Sequence, residues 1–356
     1  MESVALNFSF WKNRKVFLTG HTGFKGSWIS LWLQHLDAEV LGYSLAPHTS
    51  PNLFESANVG DGMNSVIGDI RDKSSMENAI CNFEPEIIIH MAAQPLVRES
   101  YKDPVGTFET NVLGTVNLLE ICRSTHSLRA ILNITTDKCY ENQEWLWGYR
   151  ESDTLGGYDP YSSSKACSEL ISNAYRSSFL NSDNRFLATA RAGNVIGGGD
   201  WAKDRLVPDL IEGLSKGQPI RIRNPASVRP WQHVLEPLHG YLLLAERLYM
   251  DGSSFADAWN FGPDDNDSRS VSCVVNELSK YWHAPEIVEE KGFQPHEAQF
   301  LKLDISKARN RLGWSPQLDF KKAISLTAEW HINVLKGVDP REATMRQILS
   351  FTEILS

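Results

Sequence analysis

The stretch Lys15-Val16-Phe17-Leu18-Thr19-Gly20-His21-Thr22-Gly23-Phe24-Lys25-Gly26 decides the reading of this chain. Its first five residues form a short apolar run, the mark of a strand buried on both faces of a parallel sheet. Glycines at 20, 23 and 26 follow, and Trp28, Leu31, Trp32, His35 and Leu36 then recur at helical spacing. Strand, glycine loop and helix in that order predict a diphosphate cradle. Glycine permits positive φ and close backbone approach, and free N–H groups at a helix start bind anions. Gly20, His21, Thr22, Gly23, Phe24, Lys25 and Gly26 are therefore candidate dinucleotide contacts.

Outward from this loop the two periods alternate. Strands are expected at 40–45, 65–68, 87–89, 130–135 and 185–191. Helices are expected at 73–82, at 105–122 and after Pro160. Such alternation predicts an α/β chain with a Rossmann-type parallel sheet and helices on both faces. Past Arg191 the pattern breaks into a Gly197-Gly198-Gly199 loop and a proline- and arginine-rich segment. A helix at 235–249 and a strand at 259–261 then return to the first pattern. The expected organisation is a cofactor-binding domain of residues 1–190 with 233–262. A smaller, discontinuous C-terminal substrate-binding lobe comprises 191–232 with 263–356.

Composition narrows the function. At 356 residues the chain is long enough to bury a core without disulfide or metal staples. A formal charge of −9 counts against general nucleic-acid binding. No apolar run approaches the roughly 18 residues of a membrane span. Five cysteines, odd in number and without CxxC spacing, fit free thiols in a reducing compartment, so a cytoplasmic location is expected. No spacing of His, Cys and Asp suggests a metal site.

Two further features refine the cofactor and the chemistry. An acid usually follows the second strand to hold the adenosine ribose. Here the chain reads Tyr43-Ser44-Leu45-Ala46, which leaves Ser44 at that place, with no arginine to favour NADP. With His21 and Lys25 adding bulk and charge to the loop, the dinucleotide is expected to be held loosely. Asp69 and Ile70 after strand three are candidates for the adenine edge, or Asp69 is a helix N-terminal acid. At 161–165 the chain reads Tyr-Ser-Ser-Ser-Lys, placing Tyr161 and Lys165 on one helix face. A phenol of unperturbed pKa about 10 needs a nearby cation to act as a base. Lys165 is expected to supply it, so that Tyr161 can take a hydroxyl proton while hydride leaves the same carbon.

Together these motifs resemble the extended short-chain dehydrogenase/reductase family of nucleotide-sugar enzymes. His90-Met91-Ala92-Ala93-Gln94 is similar to its HxAA strand end, Asn111-Val112-Leu113-Gly114-Thr115 to its NVxGT helix, and Arg191-Ala192-Gly193-Asn194-Val195 to its RxxNV segment. The tail Asp304-Ile305-Ser306-Lys307-Ala308 with Leu312-Gly313-Trp314-Ser315-Pro316 also matches. The resemblance implies NAD as cofactor, with Ala92, Ala93, Gln94, Asn111, Thr135, Tyr161 and Lys165 lining it. It also implies a homodimer through a four-helix bundle of the helices at 105–122 and 161–179. Val112, Val116 and Leu119 form a compatible stripe, which would equally face the chain's own sheet.

The segment Thr135-Thr136-Asp137-Lys138 selects the reaction within that family. It resembles the CDP-glucose 4,6-dehydratases, in which lysine stands for the glutamate of a T-D-E triplet. The resemblance implies lyase chemistry on CDP-glucose within deoxysugar and O-antigen biosynthesis. Thr136, Asp137, Lys138, Tyr161 and Lys165 are the catalytic candidates. Asp137 as acid and Lys138 as base is the family's assignment, but an ion pair between them would favour the opposite forms, so the roles stay open. Arg205, Arg221, Arg223 and Arg229 are read as a diphosphate clamp, because arginine forks bind phosphate bidentately. Arg98, Asn194, Trp201, Leu206 and His296 are further substrate candidates. Rival readings are another nucleotide-sugar dehydratase, a 4-epimerase, or a nucleotide-sensing regulator, which would need neither Tyr161 nor Lys165.

Overall fold

The computed structural model describes residues 4–282, 287–289 and 298–355. Seven strands form one sheet: β1 (Lys15–Thr19), β2 (Glu39–Ser44), β3 (Asn64–Ile67), β4 (Ile87–His90), β5 (Ala130–Ile134), β6 (Phe186–Ala192) and β7 (Ala258–Phe261). Their order is β3-β2-β1-β4-β5-β6-β7, and every pairing is parallel. The sheet reverses its winding between β1 and β4. Ligands of such sheets bind at that switch point, off the carboxyl ends of the strands.

Alternation along β1 explains why both faces are covered. Val16 and Leu18 enter one core with Trp28 and Trp32 of α1 (Phe24–His35) and the helix α6 (Leu235–Asp251). Phe17 enters the other, with Ile88, Ile131 and Leu118. That second face is closed by α2 (Lys73–Phe83), α3 (104–124) and α4 (160–180). A third core joins α5 (Leu206–Lys216), α7 (Val271–Leu278) and α8 (Phe320–Leu335) in the remaining part of the chain. The last helix, α9 (Pro340–Leu355), packs back on α1, where Phe351 and Trp32 meet edge-on at 5.9 Å.

Two differences from the sequence expectation matter to the site. Strand β5 ends at Ile134, so Thr135 and its successors leave the sheet as a crest. The helix expected at 105–122 is not regular: it carries a π-turn at Glu109–Leu113. The extra residue turns the buried Asn111 toward the β4 end, where it bridges Gln94 and Ser164. Leu119 takes the sheet-facing alternative and lies in that core. Val105, Phe108 and Leu113 are the exposed apolar residues of α3, and Leu170 and Phe179 those of α4. Among the described residues no helix is long and apolar enough to cross a membrane.

Candidate active site

The glycine loop is built for close approach. Gly20 sits at φ +79°, and a Cβ there would lie 2.8 Å from the Ala92 nitrogen. A Cβ on Gly26 would lie 2.0 Å from the Gly20 carbonyl oxygen. Both positions exclude any larger residue. Gly23 differs: its Cβ would meet only the Gly20 oxygen, at 3.4 Å. It is the N-cap of α1 and makes no side-chain cap. The first N–H groups of α1 therefore face an opening, which is the shape a diphosphate fits.

Two loop side chains behave differently from expectation. His21 is fully buried beneath Gly42, donating to or accepting from Ser65 Oγ at 2.7 Å. Burial pushes its pKa down to about 4, so it adds neither bulk nor charge to the cofactor side. Lys25 does face the cleft. Burial, then Lys165 and Arg205, push it down to about 7. Ser44 is tied to Thr22 Oγ at 2.9 Å, fixing the β2 end to the loop. Asp69 is bound by Arg71, with Nη2 at 2.6 Å, while Asp72 caps α2. Asp72, not Asp69, is thus the helix cap. Ile70 packs beneath Gly114 of α3.

A cavity of about 780 Å³ opens beside this loop. Thr136, Asp137, Lys138 and Tyr161 line it from one side; Asn194, Arg205, Leu206, Arg223 and Arg229 line it from the other. Thr136 donates its hydroxyl to Asp137 Oδ1 at 3.0 Å. Asp137 is buried, and its Oδ2 has no partner. That oxygen needs Gly193, where a Cβ would lie 1.8 Å away.

Tyr161 departs from the sequence expectation. Burial pushes it up to about 12, helped by Asp137 and opposed by Thr136 and Arg205. Lys165 stands one helix turn further on. Its ammonium donates to the Ile134 carbonyl at 2.9 Å, and burial pushes it down to about 8. Thr135 likewise turns its hydroxyl inward, to Glu169 at 2.5 Å. Ala92 and Ala93 follow the end of β4, half-buried beside the loop.

The arginines are paired in a way the sequence did not reveal. Asp204 holds Arg98 at 3.1 Å and Arg223 at 3.7 Å, and Asp200 holds Arg205 at 3.0 Å. Arg229 spends its fork on the carbonyls of Val228, Ala298 and Gln299, anchoring that segment at the cavity wall. Asn194, at φ +46°, has a buried Oδ1 without a partner. Trp201 does not line the cavity: its ring packs on Trp330 at 5.7 Å and His331 at 6.0 Å. The Arg221 side chain and His296 lie outside the described residues. Asp200, Asp204 and Glu169 went unread. Asp200 stands five residues before Arg205 and Glu169 four after Lys165, whereas Asp204 draws its arginines from two distant segments. Among the described residues, no His, Cys, Asp and Glu cluster could hold a metal.

A doubly wound parallel sheet, a glycine cradle at its switch point and a buried tyrosine–lysine pair define a Rossmann-type dehydrogenase/reductase. The model of the GDP-mannose 4,6-dehydratase family matches residues 17–327, and this chain belongs to that family. It is 50% identical over 350 residues to a CDP-glucose 4,6-dehydratase of Salmonella typhimurium, covering 96% of this chain and 97% of that one. A dTDP-glucose 4,6-dehydratase of Escherichia coli is 24% identical, over 91% and 94% of the two chains. In fold it is similar to a dTDP-glucose 4,6-dehydratase of Bacillus anthracis solved with NAD. There the TM-score is 0.75 and the identity 21%, covering 92% of this chain and 99% of that one.

Proposed function

We propose that this chain is a CDP-glucose 4,6-dehydratase, a lyase forming CDP-4-keto-6-deoxy-D-glucose with NAD as a recycled cofactor. The observation that carries the reading is the crest after β5: Thr136 donates to a buried Asp137 whose outer oxygen is unpartnered, in the cavity that Tyr161 also lines. Full-length identity of 50% to a relative of that activity supports the nucleotide and the sugar.

The residues divide the work. Gly20, Gly23 and Gly26 shape the diphosphate cradle, and Lys165, fixed by the Ile134 carbonyl, holds the cofactor's sugar. A bound NAD⁺ would supply the hydride chemistry, acceptance from carbon 4 and return to carbon 6. Tyr161 takes the carbon-4 hydroxyl proton, with Thr136 on the same oxygen. The new ketone acidifies the proton on carbon 5. Asp137 and Lys138 then act as a pair, one removing that proton and the other protonating the hydroxyl that leaves carbon 6 as water; the group that took the carbon-5 proton gives it back as hydride reaches carbon 6. The substrate diphosphate takes over the arginines that Asp200 and Asp204 hold here.

In this reading residues 1–190 with 233–262 hold the cofactor, and 191–232 with 263–356 hold the nucleotide sugar. The cofactor is held loosely, because Ser44 replaces the ribose-binding acid and Lys25 faces the cleft. The exposed residues of α3 and α4 pair with a second copy in a four-helix bundle, an isologous arrangement. The enzyme is cytoplasmic and serves deoxysugar supply for an O-antigen. Replacing Leu113 with Glu tests the dimer by light scattering: a monomer supports it, and an unchanged mass rejects it. The activity itself is tested by keto-sugar formation from CDP-glucose.

A further inference from the structure

Helix α4 carries a third polar side chain in register with its catalytic pair. Tyr161, Lys165 and Glu169 stand one turn apart on one face. Glu169 takes no part in the reaction as described, yet it is 3% exposed and fully engaged. Its Oε1 accepts the Thr135 hydroxyl at 2.5 Å. Its Oε2 accepts the Thr189 hydroxyl at 2.7 Å and Arg191 Nη2 at 2.8 Å. Arg191 in turn donates to the Tyr140 hydroxyl at 2.7 Å and the Glu151 carbonyl at 3.2 Å.

Stability does not account for this pair. Desolvating two ions costs several kcal/mol, and apolar residues of similar volume hold a core as well or better. Its surroundings suggest another use. The groups acting on or facing Lys165 come from four elements. His90 on β4 is neutral, since burial pushes it down to about 3. Cys139, after β5, is held as a neutral thiol by burial. Lys25 on α1 repels it. Glu169, on its own helix, is the carboxylate that favours its charged form against burial. Arg191 on β6 sits behind Glu169 and keeps that carboxylate ionised.

We infer that Glu169 is a positioning residue whose carboxylate, locked by Arg191, Thr189 and Thr135, keeps Lys165 an ammonium ion. Three donors on Lys165 are then available: one for the Ile134 carbonyl and two for the bound cofactor. The Y-x3-K-x3-E spacing is thus one functional unit on one helix face. The same carboxylate also pins Thr135, and so sets where the Thr136–Asp137 crest leaves the sheet.

This inference rests on the reading of Lys165 as part of the site, and the test separates the two. Lysine labelled at Cε with carbon-13 reports the titration of Lys165 by NMR, assigned with Lys165→Met. In Glu169→Gln the midpoint is expected to fall by at least one unit, and the alkaline limb of kcat to move down with it. Activity at pH 8 then drops about tenfold while activity at pH 6 changes little. Glu169→Gln/Arg191→Gln removes both charges, so a folded variant exists even if the single substitution leaves Arg191 intolerably unpaired. It is expected to shift the same way. Thr135→Val, which keeps the charge, is expected to leave the midpoint in place. An unmoved midpoint in the folded variants overturns the inference. A moved midpoint with an unmoved kcat limb supports the coupling and rejects the catalytic reading of Lys165.

Discussion

The carboxyl edge of the sheet and the arginine-lined wall opposite it are held in place by different means. On the sheet side, positions follow from backbone and packing. Gly20 has its positive φ, Gly26 touches the Gly20 carbonyl, and Asn111 is turned inward by a π-turn. On the other side, Arg98, Arg205 and Arg223 are held by ion pairs to two aspartates. Asp200 and Asp204 occupy arginines there, and those pairs are 20–41% exposed except for Asp200. Exposed pairs are worth little, about 0–1 kcal/mol, so an incoming phosphate displaces them at small cost. The cofactor side is preorganised, whereas the substrate side exchanges its partners.

Five substitutions break or sharpen that contrast. The largest effect is expected from Tyr161→Phe, which leaves the fold intact and lowers kcat by about 10²–10⁴. A loss under tenfold would remove the tyrosine from the chemistry. Gly193→Ala comes next, since its Cβ overlaps the Asp137 carboxylate. Overpacking of this kind costs about 1–3 kcal/mol, and kcat should fall at least tenfold with CDP-glucose binding retained. A variant with normal turnover would show that Asp137 does not need its present place.

On the opposite wall the effects should be smaller and confined to KM. Arg223→Ala is expected to raise KM for CDP-glucose about tenfold, by loss of a charge-assisted phosphate contact. Asp204→Asn should instead lower KM a few-fold, since it frees Arg98 and Arg223. A higher KM in Asp204→Asn would make that carboxylate a support of the clamp, not a placeholder. The smallest effect concerns Glu236, buried beneath the Gln317 and Leu318 amides, which burial pushes up to about 8. A carboxyl raised on folding contributes stability that is full at low pH and lost as pH rises through about 8. From pH 7 to 9 unfolding should therefore ease by on the order of 1 kcal/mol. Glu236→Gln should flatten that slope in thermal denaturation; an unchanged slope would assign it elsewhere.

How far the sequence could be read follows the same division. The sheet, its winding and the glycine loop were legible because period and glycine spacing are local signals. The crest at Thr136 and Asp137 was legible because it ends a strand. His21 misled, since a histidine in a glycine loop reads as exposed, and only Gly42 on the neighbouring strand reveals the space that buries it. Helical spacing put Lys165 on the face of Tyr161 but could not show its bond to the Ile134 carbonyl, which depends on the strand beneath. Trp201 reads as a base contact in a loop, and packing against Trp330, 129 positions along, decides otherwise. Asp204 was missed because its role depends on arginines from two distant segments.

The most direct test of the account incubates the purified protein with CDP-, UDP-, GDP- and dTDP-glucose, with and without added NAD⁺, and follows the 4-keto sugar by its absorbance in base. The account predicts product from CDP-glucose alone, rising with added NAD⁺. Absence of keto sugar from every nucleotide, or an epimer in its place, would contradict it, and full turnover without added NAD⁺ would contradict loose cofactor binding.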